Sequence, residues 1–274
     1  MTESFVPDVL PTTFADRDGL IAHVRALSPW AKGDASPIVG GATAAQQRLQ
    51  AIDPLRYAAT RNFGDGKVSR LSPYLRHGVL SLNAVRNAAL EHGEDPYGKD
   101  PSRILKFIQE LAWRDFWQRI YAAHPEWIWQ DIEPYKTGFV ADDYADTLPQ
   151  DIAEGRTGVA CIDAFIAELI DTGYMHNHAR MYVASYTVHA RRVKWQAGAG
   201  WFLHHLLDGD PASNNLSWQW VASTFSHKPY IFNLENVAKY FGGQVDTSPA
   251  ANAPLDASYD TLNSRWFPHL GGAR

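Results

Sequence analysis

A single cysteine, Cys161, stands in a chain of 274 residues. That excludes a disulfide framework, a four-cysteine zinc site and a cysteine-ligated iron–sulfur cluster. Excess positive charge is missing too: 25 Lys and Arg against 30 Asp and Glu give a formal net charge of −5. With no global basic field, any contact with nucleic acid has to come from a local patch. No apolar run approaches the roughly 20 residues of a membrane span. The opening MTESFVPDVLPTTFADRDG is acidic and broken by prolines, unlike a signal or transit peptide. No Gly-x-Gly-x-x-Gly follows a strand and no Walker A sequence occurs, so Rossmann and P-loop nucleotide sites are unsupported. The expectation is a soluble, cytoplasmic protein with no membrane partner and no metal.

Tryptophan, by contrast, is abundant: ten residues, in a chain otherwise ordinary at 45% hydrophobic and 20% charged. Helical periodicity dominates and alternating runs are scarce, which predicts an all-α protein. DPSRILKFIQELAWRDFWQRIYAAHP offers Asp100 as a cap and Pro101 at the first helical position, and closes before Pro125. CIDAFIAELIDTG repeats apolar residues at helical spacing and stops at Gly173, a natural C-terminal cap. YMHNHARMYVASYTVHARRV and GWFLHHLLDGD supply two more helices. The expected layout is an extended leader over 1–40, a helical domain over 41–242 and a polar tail over 243–274.

Several polar clusters interrupt this pattern. In VSRLSPYLRHG, Ser69, Arg70 and Ser72 present hydroxyls and a guanidinium to an anion, or form an ordinary helix cap. In ELAWRDFW, Glu110, Trp113, Arg114 and Trp117 share one helical face, either as a functional stripe or as an amphipathic helix with a Glu110–Arg114 pair. YMHNHARM puts Asn177, Arg180 and Met181 on one side, while His176 and His178 diverge and are expected to be surface or hydrogen-bonded residues. Cys161 is expected in the core. LDGDPASNNLSWQW is the oddest stretch, reading as a polar loop in which Asn214 and Asn215 tolerate left-handed turns. Asp208 and Asp210 follow an apolar helix, where the dipole disfavours carboxylates, so a cation such as Arg180 or Arg114 should compensate. A hard cation at Asp-Gly-Asp would need more oxygen ligands than this run offers.

Taken together, RLSPYLRHG, ELAWRDFW, TGVACIDAFIAELIDTGYMHNHARMYVAS, KWQAGAGWFLHHLLDGDPASNNLSWQW and KPYIFN resemble the photolyase/cryptochrome family in order and near-spacing, from about Gly41 to Phe241. The resemblance implies the family's FAD-binding helical domain, closest to the cyclobutane pyrimidine dimer photolyases. It implies FAD contacts at Tyr57, Ser69, Arg70, Leu71, Ser72 and Phe107, and at Glu110, Arg114 and Asn177. Arg180 and Asp208 match the salt bridge beside the flavin ring, Gly209 and Asp210 face the ring, and Asn214 stands opposite flavin N5. It further implies a light-driven reaction in which reduced FAD lends an electron to a pyrimidine dimer in single- or double-stranded DNA. Glu110, Trp113, Asn177, Met181, Asn214 and Trp220 match the lesion pocket, with Trp113 and Trp220 stacking on the bases. Arg61 matches a DNA-phosphate contact and His178 stands where the family has an arginine. Trp218 and Trp195 match the inner two tryptophans of an electron chain. The outer position falls near Asp142, with Tyr144 or Trp201 as candidate substitutes. About forty residues precede the match, so the expectation is a short, antenna-less form in which FAD absorbs the light. The competing expectation is a cryptochrome-like photoreceptor that signals through flavin reduction and a protein partner.

Overall fold

The computed structural model describes residues 10–29, 34–93 and 102–272. The chain divides into two units, Met1–Pro37 and Ile38–Arg274. In the first, α1 (Arg17–Leu27) begins at Asp16, whose carboxylate accepts from the Gly19 amide at 2.8 Å. The leader read as extended thus contains a capped helix of three turns, because an Asp cap and a run free of proline outweigh the proline-rich flank.

The second unit is built from twelve further helices among the described residues. In order they are α2 (Ala42–Gln50), α3 (Pro54–Thr60), α4 (Ser72–Arg76), α5 (Leu82–Gly93), α6 (Ser102–Ala123), α7 (Gln150–Ala153), α8 (Ala160–Thr172), α9 (Asn177–Ser185), α10 (Trp195–His205), α11 (Pro211–Ala222), α12 (Leu234–Phe241) and α13 (Tyr259–Trp266). Among the described residues, β-type pairing consists of two isolated bridges, Ala145 with Val193 and Gly242 with Val245. The all-α expectation holds. Helix α6 stops ahead of Pro125 as its sequence predicts, while the suggested start at Asp100 and Pro101 lies outside the described residues. Helix α8 ends at Gly173 with φ of 70°, and a side chain there would meet both that strained angle and the Leu207 side chain at 2.7 Å.

LDGDPASNNLSWQW is a helix rather than a loop over most of its length. Asp210 is the N-cap of α11: its Oδ1 accepts from the Ala212 and Ser213 amides at 2.9 and 3.2 Å, with Pro211 at the first helical position. The carboxylate therefore faces the favourable end of the following helix, not only the unfavourable end of the preceding one. Asn214 and Asn215 are helical, without left-handed turns.

Two apolar clusters make the core. The larger joins α8 to α13 around Phe165, Tyr182, Trp195, Phe202 and Phe232. The smaller joins α2, α4, α5 and α6 around Leu49, Leu71, Val85 and Phe107. Residues 243–274, read as a polar tail, give Leu255, Leu262, Trp266 and Phe267 to the larger cluster, all buried. The domain boundary near 242 is therefore not a boundary of the core.

Three buried groups titrate far from their usual range. Cys161 is wholly buried and its thiol is pushed up to about 12, chiefly by desolvation. His176 and His189 are buried, and desolvation, ahead of neighbouring charges, lowers both to about 4. An unfolded histidine takes its proton near pH 6.5. Stability is therefore whole above about pH 6.5 and lost as the pH falls toward about 4, by about 3 kcal/mol for each of these two histidines. A urea midpoint that stays flat through that window counts against them.

Candidate functional site

A cavity of about 600 Å3 opens where the two core clusters face each other. That volume lies inside the range of about 300–1,000 Å3 typical of small-molecule and cofactor sites. Leu71, Val85 and Phe107 reach it from the smaller cluster, and Phe202, Leu206 and Trp218 from the larger.

Its floor carries two charge pairs. The Arg180 Nη2 donates to Asp208 Oδ2 at 2.9 Å, and its Nε donates to the Met175 carbonyl at 2.8 Å. Burial works against the charge of Arg180, but Asp208 outweighs it and the guanidinium pKa ends above its ordinary value. Arg180 and Arg70 both stack over the buried Tyr174 ring, at 5.4 and 5.2 Å. The second pair is Arg114 with Asp210, at 3.0 Å. Gln118, one turn beyond Arg114, donates to the same Asp210 oxygen. Asp210 thus caps α11 with one oxygen and anchors α6 with the other.

The Glu110–Arg114 pair anticipated on α6 does not form. Arg114 turns to Asp210, and Glu110 instead holds Arg61 at 3.3 Å and Lys106 at 2.5 Å. The nearly buried Asp210 carboxylate is a stronger partner than the more exposed one of Glu110 on the same helix. Tyr57 packs edge-on against Phe107 with ring centroids 5.1 Å apart, and burial followed by the Glu110 charge pushes its hydroxyl up to about 12. Ser69, Arg70, Leu71 and Ser72 pass along the wall into α4. Arg70 adopts φ of 52°, the left-handed region that an arginine takes only under constraint. With five residues, α4 is too short for its dipole to matter much.

Two indoles stand at the margin. Trp113 is 47% exposed and stacks on Trp117 at 5.3 Å, and Trp220 is 41% exposed beside Tyr230. Asn177, Met181 and Gly209 also line the wall. Asn214 commits both amide hydrogens, to the Ala199 carbonyl at 3.0 Å and Asn215 Oδ1 at 2.8 Å, which fixes its orientation.

Of the residues anticipated from sequence, Asp142, Tyr144 and Trp201, offered for the outer electron-chain position, are not on the wall, and neither are Trp195 and His178. Trp195 is fully buried beyond it, with Gly198 of the same helix pressed against the Trp218 ring. His178 packs on Tyr182 and Tyr240, and desolvation together with Arg61 lowers it to about 4. Trp117 of the ELAWRDFW stripe is on the wall, while Tyr174, Ser213 and Gln118 were missed. Gln118 continues the Glu110–Arg114 stripe at helical spacing, which was the available signal; Tyr174 follows the Gly173 cap and gave none.

Gly198 leaves no room for a side chain, since any added carbon falls within the Trp218 ring. Gly198→Ala is expected to cost about 1–3 kcal/mol through overpacking and to displace Trp218. Unchanged urea midpoint and unchanged tryptophan emission would refute this.

The cavity suits FAD. Asp208 Oδ1, Ser213 Oγ and Trp218 Nε1 are buried without a hydrogen-bond partner in the protein, all three belonging to wall residues. Buried polar atoms left over around one cavity call for a polar, hydrogen-bonding ligand. The apolar wall of Phe107, Leu71 and Phe202 suits a flat ring system, and Arg180 with Arg70 suits an anionic one. Among the described residues no group of three His, Cys, Asp or Glu could hold a metal ion, and no helix is long and apolar enough to cross a membrane.

Comparison with known proteins gives the same direction. The deoxyribodipyrimidine photo-lyase of Synechococcus is 34% identical over 248 residues, covering 85% of this chain and 46% of its own length. That of Streptomyces griseus is 39% identical over 156 residues, covering 57% of this chain and 32% of its own. A class III photolyase from Agrobacterium tumefaciens superposes with a TM-score of 0.63 at 26% identity, over 96% of this chain and 52% of that one. The chain thus spans about half or less of the length of these relatives. Residues 107–247, which carry most of α6, both charge pairs, Trp218 and Trp220, match the FAD binding domain of DNA photolyase, and the chain belongs to that family.

Proposed function

We propose that this chain holds FAD in the cavity and uses it, under light, to split cyclobutane pyrimidine dimers in DNA. The observation that carries the reading is the 600 Å3 cavity itself, floored by Arg180–Asp208 and edged by two half-exposed indoles. Ser69, Ser72 and Arg70 would hold the phosphates and ribityl chain; Arg180, Asp208, Asp210 and Asn214 would hold the ring. When bound and reduced, FAD supplies the excited-state electron that splits the dimer. Trp113 and Trp220 would receive the extruded bases, with stacking worth about 1–3 kcal/mol per base. Glu110, held by Arg61 and Lys106, would present a carboxylate to the dimer beside Asn177 and Met181.

The test is direct. Purified protein should be yellow with flavin bands, bleach under blue light with a thiol, and, once reduced, repair dimers in single- and double-stranded oligonucleotides on illumination. Flavin that binds and photoreduces without any repair would reject dimer splitting. It would favour a light receptor acting through a protein partner.

A further inference from the structure

Trp195 is wholly buried, and its one polar atom is spoken for in an unusual way. The indole N–H donates to Asp131 Oδ1 at 2.6 Å, and the Gln196 side chain donates to the same oxygen at 3.2 Å. A buried N–H needs an acceptor, and a main-chain carbonyl would serve. Yet Trp218 and Trp201 keep their buried indole N–H groups with no partner at all. Only Trp195, of these three, is given a carboxylate.

Asp131 is held in place by the helix that carries Trp218. Asn215 and Gln219, both fully buried on α11, donate to the carbonyls of Ile128 and Trp127, and Gln219 accepts from the Ile132 amide at 3.1 Å. Two buried amides thus fix the segment on which Asp131 sits, and the carboxylate and the two indoles form one rigid assembly. The groups facing Asp131 are the Trp195 indole, the Gln196 amide, the Lys194 ammonium and the Tyr135 hydroxyl. Tyr135 stacks on Tyr144 at 4.4 Å, and its hydroxyl has no hydrogen-bond partner.

We infer that Asp131 is the proton acceptor that makes oxidation of Trp195 a coupled loss of an electron and a proton. This rests on the flavin reading above. A neutral indole N–H is a very weak acid, so in the resting protein the contact is a hydrogen bond and nothing more. Removing one electron makes that N–H strongly acidic, and the carboxylate is already in contact to take it. One electron leaves Trp195 by way of Trp218 for photo-excited FAD in its oxidised form, the photoreduction that the bleaching test above reads. One proton crosses from Nε1 to Oδ1. What remains is a neutral indolyl radical beside a neutral carboxylic acid, and the pair has changed from one negative charge to none. Return of the electron then requires return of the proton, which holds the separated state open.

The experiment is flash photolysis of the FAD-loaded full chain in H2O and D2O, comparing wild type with Asp131→Asn. The amide keeps an acceptor for the indole but cannot take its proton. Wild type is expected to give the deprotonated tryptophan radical, formed more slowly in D2O. The variant is expected to give the protonated radical cation, recombining about a hundredfold faster, the low end of what a positioned proton acceptor contributes. Trp195→Phe should abolish both signals. In the apoprotein, the Trp195 indole proton should resonate far downfield and move upfield in Asp131→Asn, a readout independent of flavin. Identical radical forms and lifetimes in wild type and variant overturn the inference alone. So does a wild-type radical with no solvent isotope effect, should the variant fail to fold. Bound FAD with no light-induced tryptophan radical also overturns this inference alone, whereas a full chain that binds no FAD overturns the flavin reading and this inference with it.

Discussion

A chain ended at Gly243 is expected not to fold. The missing segment supplies Leu255, Leu262, Trp266 and Phe267, each 5% exposed or less. Burial of such side chains contributes about 1.5–3 kcal/mol each, so their loss removes about 6–12 kcal/mol from a total of about 5–15. The polar connections go with them. Asn252, wholly buried, accepts from the Cys161 amide at 2.9 Å at the start of α8, and Arg192 donates to the Trp266 carbonyl. Without these the first turn of α8 loses its partner and an arginine is left partly buried beside Phe139. Circular dichroism with a urea titration checks this: the shortened chain should show no cooperative transition. A sharp transition near that of the full chain would mean that the packing of α13 contributes little.

That segment also marks where the sequence stopped being readable. Helices α6, α8 and α10 announce themselves because each is long enough for the apolar residues to repeat, and Gly173 announces the end of α8. Between 249 and 255 the chain runs through two one-turn 3-10 segments, Pro249–Ala251 and Ala253–Leu255, too short to establish a period. Beyond it, Trp266 meets Phe232 and Phe267 meets His189, so the spacing follows distant partners and a local pattern does not exist to be seen. The stretch from Leu207 to Trp220 failed differently. Asp210-Pro211 is a cap signal, but the neighbouring asparagines suggested turns, and only the amide bonds from Asn214 and Asn215 to other elements explain their place within a helix. The charge pairs were half legible. Either Arg180 or Arg114 was expected to compensate the aspartates, and in fact each takes one of them. Asp131 was invisible, because nothing in WQDIEP distinguishes it from a solvated acid until Trp195 is placed against it.

The second large effect concerns Arg180→Leu. Asp208 is 8% exposed and uses one carboxylate oxygen on Arg180, while the other has no partner. Removing the guanidinium leaves a buried, uncompensated carboxylate, which costs about 3–5 kcal/mol. The same change frees the Met175 carbonyl and the face of Tyr174, both held by Arg180. Urea unfolding of the apoprotein should register the loss. Replacing both partners with leucine should restore most of it, since two apolar side chains of similar volume carry no stranded charge. The two variants then separate stability from function. If the ion pair exists to hold the fold, the double variant regains both its midpoint and its flavin. If the pair exists to hold FAD, the double variant folds well and still purifies colourless. The second outcome is the expected one: the unpaired Asp208 oxygen lies at the cavity wall, and a pair built only for stability would have left no acceptor open there.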